Sequence, residues 1–454
     1  MIRVGTVFTG IGAIEQALKR LGLEHTIVFG CDNGDVELKL LPKSDQKRFE
    51  LLKKAEKKGA LTDAELAELS NYRQTEANLI EEIRSNITTL PSKDAKREFV
   101  ESIYKKHSSQ QNYVKQSYFA NYDIDPKDFH LDICFFDGSD YNGKVDLLVG
   151  GSPCQSFSTV GKQLGFEDTR GTLFYEFARV VKETSPKIFL FENVRGLLNH
   201  DKGRTWQVMY DIFEELGYDV KFRVLNSCNY GIPQHRERIF CLGFKKATKF
   251  EYPAPIELEY KMYDFLEDYI DTKYFLKEKG VKFVTSHKNR DKSYTQINGD
   301  IQLCQKRNQQ FNWHGDFVYH PDSELTPTDE SFDEFVFDVK DVEEKYYLSE
   351  KVAKYVLAGG TKNFKTSTET DLDIARPLLQ SMHKMHRAGV DNYVTHKGRI
   401  RKLTPRECLR LMGFKDTFKI VVSDTAIYQQ AGNSIVVDVL IALLKQLDVT
   451  KYGV

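Results

Sequence analysis

The sequence lacks long hydrophobic runs, paired cysteines and a leader segment. No apolar stretch approaches the roughly 18 residues that a membrane-spanning helix requires. The first residues, MIRVGTVFTGIG, reach glycine before the apolar core of a signal peptide could form. Seven cysteines are scattered among 454 residues without a CxxC pair, which argues against a disulfide framework and against a zinc knuckle. These absences predict a reduced, cytoplasmic protein with no membrane attachment.

Common metal and phosphate-binding motifs are also missing. The chain has neither an HExxH motif nor a P-loop. His383 and His386 have a spacing that metal ligands can show, but no third candidate ligand stands nearby. We therefore expect no bound metal.

Charge is balanced over the whole chain but not along it. The formal net charge is -1, which by itself indicates no partner. Residues 286–307 carry five Lys/Arg against two Asp/Glu, whereas residues 321–345 carry ten acids against two lysines. The near-zero net charge is therefore the average of a basic and an acidic surface.

Short strand-like runs alternate with helical segments in much of the chain. The strand IRVGTVF is followed by a glycine turn, the helix AIEQALKRLG and the strand HTIVFGCD. The same alternation returns around the apolar runs KVDLLVGG (144–151), PKIFLFEN (186–193) and ERIFCLGF (237–244). This order predicts an α/β fold, a doubly wound and mostly parallel sheet with helices on both faces.

Two stretches interrupt this alternation. Residues 37–110 are charged, favour helix and contain few strand formers, so they predict a helical insertion. Its mixed charge is more typical of a solvated face than of a contact with DNA or a protein partner. Residues 245–390 are aromatic and irregular and predict a second, smaller domain, which leaves residues 1–244 plus 391–454 for the main domain.

Two helix starts are marked by a capping-box pattern. Thr62 with Glu65 lies inside the insertion, and Thr404 with Glu407 lies near the end of the chain. In this pattern the Thr side chain accepts from the backbone N–H of the Glu, and the Glu side chain accepts from the backbone N–H of the Thr.

A glycine turn and an acid suggest a nucleotide-like ligand. FTGIG (Phe8–Gly12) lies between a strand and a helix, where glycines let the backbone approach such a ligand. The third glycine of the dinucleotide motif is missing, and Glu15 in the first helical turn would repel a pyrophosphate. The pattern favours an uncharged or cationic adenosine cofactor over NAD. Asp32, at the end of the second strand, is placed to accept hydrogen bonds from ribose hydroxyls, although an isolated acid or turn is as often plain surface.

Reactive or charged side chains follow three further strands. GGSPCQSFS puts Cys154 after an apolar strand among turn-forming neighbours, whereas the other cysteines are interpreted as small buried hydrophobes. FENVRGLL brings Glu192 to a strand end, as a structural cap or as a buried acid with a raised pKa. Arg236 and Arg238 alternate into a strand and so share a face, as paired anion or base contacts require; a surface salt bridge is the alternative for one of them.

The order and identity of these motifs resemble the DNA (cytosine-5)-methyltransferases. The motifs are, in chain order, FTGIG, LDI (131–133), GGSPCQSFS, DTRGTLF (168–174), FENV, QHRERIF, RKLTPRECLRLMGF and QQAGNSIVV. The resemblance covers roughly residues 1–36, 110–244 and 391–447, and it leaves residues 37–110 and 245–390 unexplained.

The resemblance implies a Rossmann-like fold that uses S-adenosyl-L-methionine. Four positions depart from the family pattern: Thr6 stands in place of an acid, Ser152 in place of a bulky residue, Asp32 in place of Glu, and Asn33 where an aromatic residue often stacks on adenine. The residues matched to the cofactor pocket are Phe8, Gly10 and Gly12 at the amino-acid end, Asp32 at the ribose, Asp132 and Ile133 at the adenine, and Leu173, Asn433 and Ser434 around them.

The resemblance also implies methyl transfer to carbon 5 of a cytosine flipped out of the duplex. Cys154 would add to carbon 6 of the ring, Glu192 would act at nitrogen 3, and Arg238 would contact the carbonyl group. Arg236 would organise the same loop. The candidate DNA contacts are Gln155 and Ser158 after the nucleophile, Arg170 at the thiolate or a phosphate, and Lys306 and Arg307 in a Gln/Asn/Arg-rich segment (301–320) suited to reading base edges.

Three hypotheses follow. The first is an active DNA methyltransferase of a prokaryote or phage, a monomer on double-stranded DNA with a restriction endonuclease as a candidate functional partner. The second keeps the fold but makes RNA the substrate, as in a tRNA-methylating branch of the family. The third is an inactive homologue that acts as a regulator. The long 245–390 region favours DNA, and the presence of Cys154, Glu192 and Arg238 argues against the third hypothesis.

Overall fold

The computed structural model forms two compact units. It describes residues 1–56, 58–152, 173–267, 272–276, 278–307, 313–320, 360–361, 364–365, 399–402 and 404–453. Unit 1 comprises Met1–Ile232, Arg236–Leu258 and Met412–Val454, and unit 2 comprises Pro233–His235 and Glu259–Leu411. The domain limits of 245 and 390 stay predictions.

A seven-stranded sheet organises unit 1. Strands β1 to β5 pair in parallel, whereas β7 runs antiparallel to both β5 and β6. The α/β, mostly parallel fold is thus confirmed, with strand order β3-β2-β1-β4-β5-β7-β6. The strands are β1 (Ile2–Val7), β2 (His25–Cys31), β3 (Phe129–His130), β4 (Leu147–Gly150), β5 (Ile188–Val194), β6 (Asp219–Asn226) and β7 (Glu237–Phe244).

The strand order places the site at one edge of this sheet. The direction in which strands are added reverses between β1 and β4, and in open α/β sheets ligands bind beyond the carboxyl ends of the strands at such a point. Strand β5 lies next to β4 and is covered on both faces, because side chains 188–191 are at most 1% exposed. A continuous apolar run therefore ends at the site.

Helices from both ends of the chain cover this sheet. Helix α1 contacts α12, and the Arg20 guanidinium donates to both carboxylate oxygens of Asp438 at 2.7 Å. The stretch Asp424–Leu447 could cross a membrane by length and composition, but 67% of its apolar window is buried, as in a core helix. The helices of unit 1 outside the insertion are α1 (Ala13–Leu21), α6 (Leu173–Thr184), α7 (Arg204–Glu215), α11 (Asp424–Asn433) and α12 (Val437–Leu447).

The predicted insertion is helical. Its helices are α2 (Lys43–Glu56), α3 (Asp63–Thr89) and α4 (Lys93–His107), and α5 (Tyr113–Asn121) follows. The capping box of Thr62 and Glu65 starts α3 as the sequence predicts. Small apolar clusters hold the helices, including one of Phe49, Leu52 and Leu69. The insertion therefore has a modest core of its own.

In its described residues, unit 2 contains a small mixed sheet and three short helices. Strands β8 (Thr295–Ile297), β9 (Gly315–His320) and β12 (Arg399–Lys402) pair in the order β12-β9-β8, and β10 (Gly360–Thr361) pairs with β11 (Phe364–Lys365). The helices are α8 (Glu278–Thr285), α9 (His287–Asp291) and α10 (Pro405–Arg410). The second predicted capping box, Thr404 with Glu407, starts α10.

Candidate cofactor and catalytic site

The glycine turn after β1 is bound to the acid after β2. Phe8, Gly10 and Gly12 all have positive φ, so the turn needs residues that tolerate the left-handed region. The Gly10 N–H donates to Asp32 Oδ2 at 2.8 Å, and the Gly34 N–H donates to Asp32 Oδ1 at 2.7 Å. Burial raises the pKa of Asp32 to about 6, and these two backbone donors oppose the rise. Each oxygen can still accept a second hydrogen bond from a ligand.

Asp132 is fixed just after β3. It caps the short turn Ile133–Phe135, and its Oδ1 accepts from the Cys134 N–H at 2.9 Å. Its Oδ2 accepts from the Tyr104 hydroxyl at 2.7 Å. Burial raises the pKa of Asp132, and the charge of Asp132 in turn raises the pKa of Asp32. The structure therefore brings the two predicted cofactor acids close together.

Glu15 differs from its sequence-based interpretation. Its side chain is buried and accepts a hydrogen bond from the Tyr118 hydroxyl, so it does not lie open at the start of α1. Burial raises the pKa of Glu15 to about 7, so its charge is a weaker argument against a pyrophosphate than the sequence suggested.

Glu192 lies near the end of β5, beside Arg238 of β7. Glu192 Oε1 lies 3.2 Å from Arg238 Nε, and both side chains are less than one-fifth exposed. Gly151 packs against the same carboxyl group, since a Cβ on Gly151 would lie 2.9 Å from Glu192 Oε2. Burial raises the pKa of Glu192, while the charges of Arg238 and Arg236 lower it. Burial and the two guanidinium groups thus act on this acid in opposite directions.

Asn193 ties the same strand end to the segment that leads to Cys154. Its buried amide donates to the Ser152 carbonyl oxygen at 3.0 Å. Cys154, Gln155, Ser158 and Arg170 themselves lie outside the described residues, so their roles stay predictions.

Arg236 contacts the backbone of the C-terminal segment. The side chain is 4% exposed, and its Nη2 donates to the carbonyl oxygens of Gly432 at 3.0 Å and Ser434 at 2.8 Å. It thus holds the last turn of α11, which carries Asn433, and the residue after it, Ser434. Arg238 contacts Glu192 instead, so the two arginines serve different partners.

The remaining predicted residues occupy varied surroundings. Ile133 is buried, and Leu173 packs against the main core of unit 1. Lys306 is exposed and Arg307 is half-buried, both in unit 2. His383 and His386 lie outside the described residues, and within the described ones no three His, Cys, Asp or Glu side chains are grouped to hold a metal.

Comparison with known proteins identifies the family. Residues 96–448 match the model of the C-5 cytosine-specific DNA methylases. The chain belongs to this family. The type II methyltransferase M1.ScrFI of Lactococcus lactis subsp. cremoris is 33% identical over 77% of this chain and 72% of that protein. M.HpaII of Haemophilus parainfluenzae is 35% identical over 67% of this chain and 72% of that protein.

A solved structure supports the same fold. The S. pombe Dnmt2 methyltransferase aligns with a TM-score of 0.55 at 16% identity, covering 99% of this chain and 100% of that chain. This methylase is thus a DNA cytosine-5 methyltransferase, and that prediction is confirmed by the family model and the relatives.

Two residues of the methylase site were not identified from the sequence. Asn193 stands within the FENV motif, so its position next to Glu192 was the available signal. Tyr104 lies on an insertion helix and contacts Asp132, 28 residues later. An aromatic residue on an amphipathic helix predicts only core packing, so no sequence signal marked Tyr104.

Proposed function

We propose that this methylase transfers a methyl group from S-adenosyl-L-methionine to carbon 5 of a flipped-out cytosine in a specific duplex DNA sequence. The transfer proceeds through a covalent adduct of Cys154 at carbon 6. After the methyl group has joined carbon 5, a base removes the proton from carbon 5 and the thiolate of Cys154 is eliminated from carbon 6. The observation that carries the proposal is the pair of Glu192 and Arg238 beside Gly151, at the start of the segment that leads to Cys154.

The residues after β1, β2 and β3 fit the cofactor in their chemistry. Asp132 offers a fixed carboxylate acceptor to an amino group, and Asp32 offers acceptors to a ribose diol. The turn leaves room at Gly10, because a Cβ there would meet only the Phe8 carbonyl oxygen, at 4.0 Å. When bound, S-adenosyl-L-methionine supplies a methyl group activated by its sulfonium charge.

The chain's own residues would prepare the cytosine. Carbon 5 is a poor nucleophile until a thiolate, here that of Cys154, adds to carbon 6. A proton held on Glu192 at ring nitrogen 3 favours this addition, and the raised pKa of Glu192 suits it to hold one. Arg238 then keeps Glu192 in place and offers its guanidinium to the cytosine carbonyl oxygen. Because the ring is inaccessible in a duplex, the base must leave the stack.

Duplex DNA is the proposed substrate, and unit 2 is the proposed reader of its sequence. The exposed Lys306 and the half-buried Arg307 follow a basic stretch that includes Lys288, Arg290 and Lys292. Such side chains suit phosphate and guanine contacts. Since the relatives M1.ScrFI and M.HpaII are named type II methyltransferases, we further propose a cytoplasmic monomer that protects host DNA beside a cognate restriction endonuclease.

Expression in a host free of DNA methylation tests this function. Bisulfite sequencing of host DNA should show methylated cytosines in one sequence context with the wild type and none with Cys154→Ala. Cys228→Ala, at a half-buried cysteine in the turn after β6, is the matched control and should keep the methylation. Methylation that persists in Cys154→Ala would contradict the proposed nucleophile. If the protein methylated tRNA and left duplex DNA unmethylated, the proposed substrate would be wrong.

A further inference from the structure

The helical insertion places one polar group, the Tyr104 hydroxyl, at the adenine end of the proposed cofactor pocket. Tyr104 lies in the last turn of α4 and is 8% exposed. Its hydroxyl donates to Asp132 Oδ2 at 2.7 Å. Burial raises the pKa of Tyr104, and the Asn33 side chain lies close enough to oppose that rise. Asn33 follows the proposed ribose-binding Asp32 directly. The insertion thus bridges the two loops that carry the proposed cofactor acids.

This bridge fixes the direction of one carboxylate. The Cys134 N–H holds Asp132 Oδ1 at 2.9 Å while Tyr104 holds Oδ2, so the plane of the carboxylate is set from both sides. Asp132 is half-buried rather than fully enclosed, so a second lone pair on each oxygen can still accept from a ligand. Burial raises the pKa of Asp132, and the hydrogen bond from Tyr104 opposes that rise, which favours the charged acceptor.

We propose that Tyr104 is a positioning residue of the cofactor pocket, which aims Asp132 at the amino group of adenine. The helical insertion of this methylase is thereby part of its cofactor site. This inference rests on the proposed use of S-adenosyl-L-methionine.

The insertion has other anchors, so Tyr104 is not required to attach it. Arg84 of α3 donates to the Cys134 carbonyl oxygen at 3.0 Å and pairs with Glu176 of α6. Lys96 of α4 lies 2.7 Å from Asp137 and 3.0 Å from Asp140. Loss of one phenolic oxygen should therefore leave the helices in place.

Binding of two cofactor analogues to the full-length protein tests the proposal. S-adenosylhomocysteine carries the adenine amino group, whereas S-inosylhomocysteine carries a carbonyl group at that position. We expect Tyr104→Phe to lower the affinity for S-adenosylhomocysteine about tenfold. This is the loss typical of removing a hydrogen bond to a charged group, and calorimetry measures it. The affinity for S-inosylhomocysteine should change less than about twofold, because its carbonyl oxygen has no hydrogen to donate to the Asp132 carboxylate.

Two further variants complete the experiment. Tyr72→Phe, on α3 against Phe49, removes a phenolic oxygen within the same insertion and should change neither affinity. Asn33→Ala leaves the Tyr104 ring packed and should weaken S-adenosylhomocysteine a few-fold, which tests the proposal even if Tyr104→Phe folds poorly.

The possible results separate the two proposals. If Tyr104→Phe loses the same affinity for both analogues, or loses none for either, the proposed role of Tyr104 is wrong. Binding of S-adenosylhomocysteine by the wild type would still support the proposed cofactor. Failure of the wild type to bind S-adenosylhomocysteine at all would overturn the proposed function, and this inference with it.

Discussion

Three acids of the site region are stabilised in different ways. Asp32 accepts from two backbone N–H groups, and Glu192 lies beside Arg238. Glu15 accepts from the neutral hydroxyl of Tyr118, and burial raises its pKa to about 7. A neutral donor stabilises a carboxylate less than an arginine does, so Glu15 is the acid whose ionisation should cost the folded state most.

Replacement of Glu15 by Gln should change how stability depends on pH. The folded protein binds the Glu15 proton more tightly than the unfolded chain, because the folded pKa is about 7 against an ordinary value of 4.5. The free energy of unfolding of the wild type should therefore fall, relative to Glu15→Gln, by about 3 kcal/mol as the pH rises through this interval. Urea denaturation of both proteins from about pH 5 to pH 8 measures the difference.

The control for this prediction is Glu24→Gln, which removes one exposed carboxyl group before β2. Pairwise comparison cancels the other titrating groups, which the proteins share. A difference between the wild type and Glu15→Gln that stayed constant with pH would contradict the raised pKa of Glu15.

At the scale of elements, a single arginine joins β7 to the end of α11. Arg236 precedes β7, and it donates to the carbonyl oxygens of Gly432 and Ser434. Its own N–H donates to Asn226 Oδ1 at 3.2 Å, which adds the end of β6. Both carbonyl oxygens accept from a buried charged group, so removing that donor should lower the free energy of unfolding.

Arg236→Met should loosen this junction. Methionine keeps much of the side-chain length but removes every donor, which leaves two carbonyl oxygens without that partner. We expect the free energy of unfolding to fall by about 2–4 kcal/mol and the affinity for S-adenosylhomocysteine to fall with it, because the same segment carries Asn433 and Ser434. Urea denaturation and calorimetry measure the two effects.

Arg195→Met is the matched control. Arg195 pairs with Glu237 at 2.6 Å, but the two side chains are 60% and 43% exposed. An exposed pair is worth at most about 1 kcal/mol, so this variant should lie close to the wild type. Equal effects of the two substitutions would show that Arg236 does not act through its buried contacts.

Local chemistry made some elements predictable from the sequence. The apolar strands β5 and β7, the insertion helices and the two capping boxes all depend on neighbours within a few residues. The sequence did not single out β6, because that edge strand has charged and half-exposed residues. Nor did it predict the antiparallel direction of β7, since strand propensity does not encode direction.

The same distinction between local pattern and long-range packing applies to the site residues. Glu192 and Asp32 were predictable because each ends a recognisable strand or motif. The contact of Tyr104 with Asp132 and that of Arg236 with Ser434 join residues 28 and 198 positions apart. Such pairings depend on how the elements pack, and no local pattern records them.

At the scale of the whole molecule, both chain ends contribute to unit 1. Arg20 of α1 pairs with Asp438 of α12, and the Lys187 ammonium donates to the Tyr452 carbonyl oxygen at 2.6 Å. In the sequence, most of unit 2 lies between the N-terminal and C-terminal parts of unit 1.

The last prediction concerns which charged surface meets DNA. If unit 2 contacts the duplex through Lys306 and Arg307, replacing both by alanine should lower DNA affinity, and the slope of log affinity against log salt should shrink by about two. The matched control is the double replacement of Lys54 and Lys58 by alanine, since both are exposed on the insertion. We expect no change in that control, because mixed charge on helices is typical of a solvated face. Titration of a labelled duplex at several salt concentrations measures both variants, with S-adenosylhomocysteine affinity as the check on folding. A larger loss from the insertion variant would instead identify the insertion as the DNA contact.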